Sequence, residues 1–256
     1  MLRYHSGLHP GDRSEDDRLR PIAEATLRDA EEGLNRFVWD MRYEDASRFP
    51  GMILWAGGVR GPLAAPGPYQ VRLIADGKPL TQGFRIQKDP RLETTPEEFA
   101  RQLALSLQIR DKLSAAHDAI SRIRDARQQV DQVAGRWKDD ARGKKTVEAA
   151  RSLSKKLTAV EEELYQTKNQ SSQDPLNYPM NYPIRLNNKL ASLAGAVASA
   201  DAPPTTQSQL VYEELASRIN AQLGRLDEIL RRDLEEFNKL VREQNLPAVV
   251  VKQTGA

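Results

Sequence analysis

The sequence contains no cysteine and only three histidines among its 256 residues. The absence of cysteine excludes disulfide cross-links, thiolate catalysis and zinc sites that are built on thiolates. Three histidines leave little material for nucleophilic triads, and no G-x-S-x-G elbow, Walker A loop or dinucleotide fingerprint occurs. We therefore predict that the chain is not an enzyme and holds no cofactor and no metal.

Long hydrophobic runs are also missing. No apolar run approaches the roughly 20 residues that cross a bilayer, and the opening stretch MLRYHSGLHPGDRSEDD lacks the apolar centre of a secretory signal. The 38 basic and 36 acidic side chains nearly cancel, so the net charge gives no indication of a nucleic-acid partner. The sequence predicts neither a transmembrane segment of its own nor binding to nucleic acid.

The first third of the chain has the apolar period of β-strands. In NRFVWDMRY, at 35–43, large apolar residues alternate with polar ones, as in a half-buried strand. The apolar positions are Phe37, Trp39, Met41 and Tyr43. This alternation favours a core strand over an exposed aromatic platform for carbohydrate.

Further strands are predicted on both sides of this stretch. PYQVRLIADGKPLTQGFRIQKDP contains two, joined at Asp76-Gly77, where glycine accepts the positive φ of a type I′ turn. LRYHSGL supplies another near the start, and MILW, at 52–55, a brief one. We predict an immunoglobulin-like β-sandwich over 1–90, either complete or incomplete, with a charged and partly helical or mobile insertion around 12–33.

After residue 90 the apolar period becomes helical. Thr95 is a good N-cap, Pro96 suits the first helical position, and apolar residues then recur at steps of three and four. We predict an elongated antiparallel bundle of three or four helices over 91–256. The predicted helices lie near 96–136, 144–169, 184–199 and 206–244.

Three aromatic residues are candidate partner contacts. Tyr178 and Tyr182 lie in the tandem NYPMNYP, and extended aromatic-proline segments often bind partner proteins. In the competing interpretation, the prolines hold an extended crossover and the tyrosines cap the end of the bundle. Trp55, in the loop that contains MILW, is the third candidate.

Several stretches together resemble one family of large bacterial proteins. GLNRFVWDMRY, GPLAAPGPYQVRL, IADGK and KDPR resemble the immunoglobulin-like module found late in BNR-repeat proteins, which are sortilin-like or sialidase-like β-propellers often labelled glycosyl hydrolases. NYPIRLNNKLASLAGAVASADAPPTTQS and the last predicted helix resemble the C-terminal region of the same family. The strand pattern is also similar to the FlgD-like immunoglobulin fold. The Ser-x-Asp-x-Gly-x-Thr-Trp boxes of the propeller do not occur.

The resemblance implies a role without catalysis, because any hydrolase activity of such proteins would reside in the propeller. It implies a structural or docking subunit that bridges protein subunits of a membrane-associated complex, at the periplasmic or extracytoplasmic face of a bacterial membrane. An incomplete sandwich would leave an open edge for a partner strand. The alternative is an accessory carbohydrate-binding module of a BNR-repeat, glycosyl hydrolase-like protein.

Overall fold

The computed structural model describes residues 2–6, 21–25, 33–177 and 180–244, with the first two ranges described by their backbone alone. The chain forms two compact units, and each unit draws on segments from both sides of residue 90. Unit 1 comprises Met1–Ala46, Gly58–Asp111 and Leu193–Leu210. Unit 2 comprises Ser47–Gly57, Lys112–Ser192 and Val211–Ala256.

Unit 1 contains an antiparallel sheet in the order β2-β1-β3-β4. Its strands are β1 (Leu2–Ser6), β2 (Pro21–Ala25), β3 (Gly67–Ala75) and β4 (Lys78–Ile86). The strands β3 and β4 form a hairpin in which Asp76 and Gly77 have φ angles of 48° and 77°. Both angles are positive, as the predicted type I′ turn requires.

The predicted immunoglobulin-like β-sandwich, FlgD-like or otherwise, is wrong. Among the described residues all strands belong to one sheet, and no second sheet faces it. The stretch 35–43 is not a strand, because Met41 has a φ of 58° that turns the chain out of the extended conformation. Its pairing is limited to a bridge between Arg42 and Leu63, with two flanking hydrogen bonds.

The aromatic alternation in 35–43 nevertheless identifies a buried face. Half-buried Phe37, Trp39 and Tyr43 pack against the cluster formed by Tyr69 and the inward side chains of β3 and β4. The indole of Trp39 lies 6.2 Å from the ring of Tyr69, and burial raises the pKa of that tyrosine above its usual value. An irregular extended segment therefore covers one face of the sheet in place of a second sheet.

The helices lie close to the predicted ranges. They are α1 (Pro96–Trp137), α2 (Lys144–Leu164), α3 (Leu186–Val197) and α4 (Thr206–Glu228), which continues through a π-helical turn at Ile229–Asp233 into α5 (Leu234–Glu243). A capping box begins α1, since the Glu98 N–H donates to Thr95 Oγ1 at 3.2 Å and the Thr95 N–H to the Glu98 carboxylate at 2.8 Å.

Unit 2 has a core of aliphatic side chains drawn from four of the helices. Each fully buried leucine or isoleucine contributes roughly 1.5–3 kcal/mol to folding. The largest are Leu113, Ile120, Ile123, Leu157, Leu164, Leu190, Ile219 and Leu226. The MILW stretch forms no strand and belongs to this unit, within Ser47–Gly57, which we call the inserted segment. No helix among the described residues combines the length and apolarity needed to cross a bilayer.

Candidate docking surface

Side chains from the helices of unit 2 bind the backbone of the inserted segment. The Ser47 N–H donates to Ser114 Oγ at 3.1 Å. Farther along, the Asn188 amide bonds both the N–H and the C=O of Trp55, at 2.7 and 2.6 Å. Because buried backbone groups need partners, these side chains replace the ladder that a neighbouring strand would supply. The polar side chains involved therefore have structural roles.

Phe49 anchors the inserted segment and is only 4% exposed. The rings of His117 and Tyr165 meet it edge-on, with centroids 5.2 and 4.9 Å away. The guanidinium of Arg124 lies 4.7 Å from the centroid of the phenyl ring and also donates to the Pro50 carbonyl at 2.8 Å. The anchor is thus fixed by aromatic, cationic and hydrogen-bonding contacts together.

Glu161 is the buried acid of this region, with its side chain 1% exposed. Arg124 Nε donates to one carboxylate oxygen at 2.7 Å, and Arg127 Nη1 to the other at 2.8 Å. Arg127 also donates to Thr158 Oγ1 at 3.0 Å. Both oxygens of the buried carboxylate are occupied by charge-assisted donors, so the arrangement is an internal ion-pair network.

His117 is fully buried and has partners at both ring nitrogens. Its Nδ1 lies 2.5 Å from the Ser47 carbonyl oxygen, an acceptor only, so Nδ1 carries the proton and donates. Nε2 then accepts from Asn187 Nδ2 at 3.3 Å. Burial lowers the pKa of His117 below its usual 6.5. The neutral imidazole bridges Ser47 and Asn187, and neither of its nitrogens is free for proton transfer.

This burial predicts that His117 makes the fold sensitive to acid. In the pH interval between its lowered folded pKa and 6.5, the unfolded chain binds more protons than the folded chain. The contribution of the neutral imidazole to the free energy of unfolding is therefore complete above pH 6.5 and decreases as the pH falls through this interval. The free energy of unfolding of the wild type and of His117→Gln, measured with urea at pH values from about 4.5 to about 8, tests this dependence. A difference between the two proteins that stays flat or grows below pH 6.5 would contradict the assignment.

The aromatic candidates from the sequence do not assemble into one site. Trp55 is half-buried in the inserted segment, and Tyr182 is half-buried with Lys168 Nζ 5.9 Å from its ring centroid. No ring contact joins Trp55 to Tyr182 in the described part of the chain, and Tyr178 lies outside it. Within the same described part, no three side chains of the types that bind metals come together.

An unpartnered edge of the sheet is the first element of a docking surface on unit 1. The strand β4 is an edge strand, and no described strand pairs with its outer side, where the Gly83 carbonyl accepts from the Gln82 side chain at 3.2 Å. The turn closes on a hydrogen-bonded pair, Ala75 and Lys78, so the odd-numbered residues of β4 direct their backbone groups outward. Proline at position 79 has no N–H to offer, which leaves Thr81, Gly83 and Arg85 as outward donors.

An apolar cleft of about 320 Å³ adjoins the end of this edge. It is lined by Ile86, the last residue of β4, by Phe99 and Leu103 of α1, and by charged side chains that include Asp89 and Asp201. Met41 and Leu63, which also line it, are 49% and 50% exposed. Exposed apolar side chains around a concave surface are typical of sites that bind other proteins or ligands. We call the outer edge of β4 and this cleft the docking surface.

The hairpin that carries the docking surface is basic. Residues 67–88 include four basic side chains and one acidic side chain. Of the basic ones, Arg72, Lys78 and Arg85 form no ion pair in the part of the chain that the structure describes. On the hairpin, these three cations therefore have no counter-charge among the described residues.

Comparison of the chain with known protein families, with curated proteins and with solved structures found no match. The resemblance to bacterial BNR-repeat proteins therefore stays a hypothesis that rests on the quoted motifs.

Proposed function

We propose that this chain is a non-catalytic docking subunit that bridges other proteins in a larger membrane-associated assembly of a bacterial envelope. The observation that carries the proposal is the docking surface, in which the open edge of β4 meets an apolar cleft. Met41, Leu63 and Leu80 expose 49%, 50% and 64% of their surface there or beside it. Burial of such apolar side chains against a protein partner removes them from water, and this stabilises the complex.

The polar chemistry of unit 2 supports a role in binding. His117 and Glu161, the groups best suited to acid–base work, are both occupied by internal partners. Their contacts hold the inserted segment and the helices together, which is the task of a scaffold. Placement of the assembly at the periplasmic or extracytoplasmic face follows from the resemblance to BNR-repeat proteins.

Purification of the tagged chain from detergent-solubilised membranes of the cells that make it tests the proposal. We expect a fixed set of subunits to accompany the chain in constant ratio, as identified by mass spectrometry. Recovery of the chain alone, with no accompanying subunit, would contradict a docking role. A glycan array tests the carbohydrate-binding alternative, which would gain support from binding that Trp55→Ala abolishes.

A charge placed in the cleft should separate the partners from the chain. Leu63→Asp puts a carboxylate at a half-exposed cleft position, so it should weaken an apolar contact while costing the fold little. We expect the yield of co-purified subunits to fall about tenfold or more. Leu210→Asp is the matched control, because Leu210 is 59% exposed and does not line the cleft. Equal yields with the two variants would exclude the cleft from the contact.

A further inference from the structure

We infer that the outer edge of β4 binds an extended segment of a partner protein in which acidic and apolar residues alternate. This inference deepens the proposed docking function and rests on it. The bound segment would add a strand to the sheet, with main-chain hydrogen bonds providing affinity and alternate side chains providing specificity. Three features of the edge lead to this partner: its backbone, its two faces and its charge.

The backbone geometry defines where the partner strand would lie. Thr81, Gly83 and Arg85 direct their N–H groups outward, and the same residues and Pro79 direct their carbonyls outward. Pro79 and Lys78 protect the end near the turn in the way that edge strands are commonly protected. Pairing is therefore favoured along the half of β4 that leads toward the cleft.

The two faces of the hairpin favour different side chains in the partner strand. On one face, Leu80 is 64% exposed and lies beyond the aromatic cluster that contains Phe84. On the other face stand Arg72 of β3 and Arg85 of β4. Cross-strand neighbours interact directly and diagonally, so apolar residues of the partner would extend the first face and carboxylates would pair on the second.

The charge of the edge argues against a second copy of this chain as the occupant. Two β4 strands paired edge to edge would bring together two segments that each carry two cations, Lys78 and Arg85, and no acidic residue. Charges of one sign close to each other repel, so this pairing is disfavoured. An acidic segment meets the unpaired cations with charges of opposite sign and steers association by the same attraction.

The test uses a displayed library of random nonapeptides, selected on the full chain at moderate salt. We expect the enriched peptides to alternate aspartate or glutamate with apolar residues. Selected peptides are then labelled and titrated against Thr81→Pro and Thr81→Ala. The proline removes one outward N–H and leaves the β3 ladder intact, while the alanine keeps that N–H.

The expected result is binding at least about tenfold weaker to Thr81→Pro than to Thr81→Ala. Arg85→Glu, which alters an exposed side chain and leaves the backbone unchanged, should weaken binding by a similar factor and make it less sensitive to salt. Thermal unfolding of each variant checks the fold, and Arg85→Glu provides the test if the proline variant does not fold.

Three outcomes would overturn the inference. They are the absence of any enriched peptide, enriched peptides without an excess of acid, and equal affinity for Thr81→Pro and Thr81→Ala. Self-association of the chain that Thr81→Pro abolishes would identify a second copy as the occupant and would also overturn it. The membrane purification distinguishes the docking function from the role of the β4 edge in it. If the same subunits co-purify equally with both Thr81 variants, the docking function is retained and the β4 edge takes no part in it.

Discussion

Replacement of Glu161 by alanine is expected to lower the free energy of unfolding by about 3 kcal/mol. The carboxylate is 1% exposed and joins Arg124 of α1 to α2, while its second oxygen accepts from Arg127. Removal leaves two guanidiniums without their counter-charge at the place where Arg124 also holds Phe49. The two arginine side chains are 31% and 29% exposed, so water replaces part of the lost interaction and the destabilisation stays at the lower end of the range for buried pairs.

Urea unfolding followed by circular dichroism measures this change as a shift of the midpoint at constant slope. The matched control is Glu162→Ala, the same substitution at the next residue of α2, where the side chain is exposed. Its effect should stay within about 0.5 kcal/mol. If Glu161→Ala and Glu162→Ala unfold at the same urea concentration, the buried network does not stabilise the fold.

Replacement of Gly61 by alanine is expected to destabilise unit 1 by about 3 kcal/mol or to prevent its folding. A Cβ at this position would overlap the carbonyl oxygen of Tyr43 and lie 2.6 Å from that of Glu44. Both obstacles are backbone atoms, so no flexible side chain can move aside. The neighbouring backbone is also held in place, since the Gly61 N–H donates to Asp45 at 2.8 Å and its carbonyl accepts from Arg42 at 2.8 Å.

Gly58→Ala provides the comparison for this prediction. Gly58 belongs to the same unit, and a Cβ there would meet nothing within 4 Å. Its substitution should leave the melting temperature nearly unchanged or raise it slightly, because alanine restricts the unfolded chain. Thermal unfolding of the two variants, with partner binding as a second readout, checks the contrast. A Gly61→Ala protein as stable as Gly58→Ala would show that the approach of the two backbone segments is not required.

Local signals in the sequence were sufficient for the hairpin and for the helices. The Asp76-Gly77 turn combines the two residue types that accept positive φ, and the structure places both there. The start of α1 carries a complete capping box between Thr95 and Glu98. Such features depend on residues three or four positions apart, so one sequence contains all the information.

The predicted β-sandwich is wrong because the alternation of apolar and polar residues identifies a buried face but does not identify a strand that pairs with the segment. Phe37, Trp39 and Tyr43 do face the apolar cluster, but their segment lies on the sheet without joining it. Met41 has a positive φ, which methionine seldom adopts, and nothing in the sequence indicates it. The prediction places a second layer of strands where an irregular segment packs on the sheet.

The polar contacts around the inserted segment were missed because their partners are far apart in the chain. His117 lies 70 positions from Ser47 and Asn187 lies 70 positions from His117. The one available signal was the pair Asn187-Asn188, which stands inside an apolar stripe and is buried in the structure. Asparagine at such positions of a helix needs a hydrogen-bonding partner and indicates where to look for one.

The bond between Trp55 and Asn188, which are 133 residues apart, sets an order of events on the ribosome. At roughly 5–20 residues per second, translation needs on the order of 10 s to deliver Asn188 after Trp55 has been made. Throughout that interval the apolar residues of Met52–Trp55 have none of their final hydrogen-bonding partners from α3. Until α3 is made, this apolar segment lacks these partners, and transiently exposed apolar surface favours aggregation of a nascent chain.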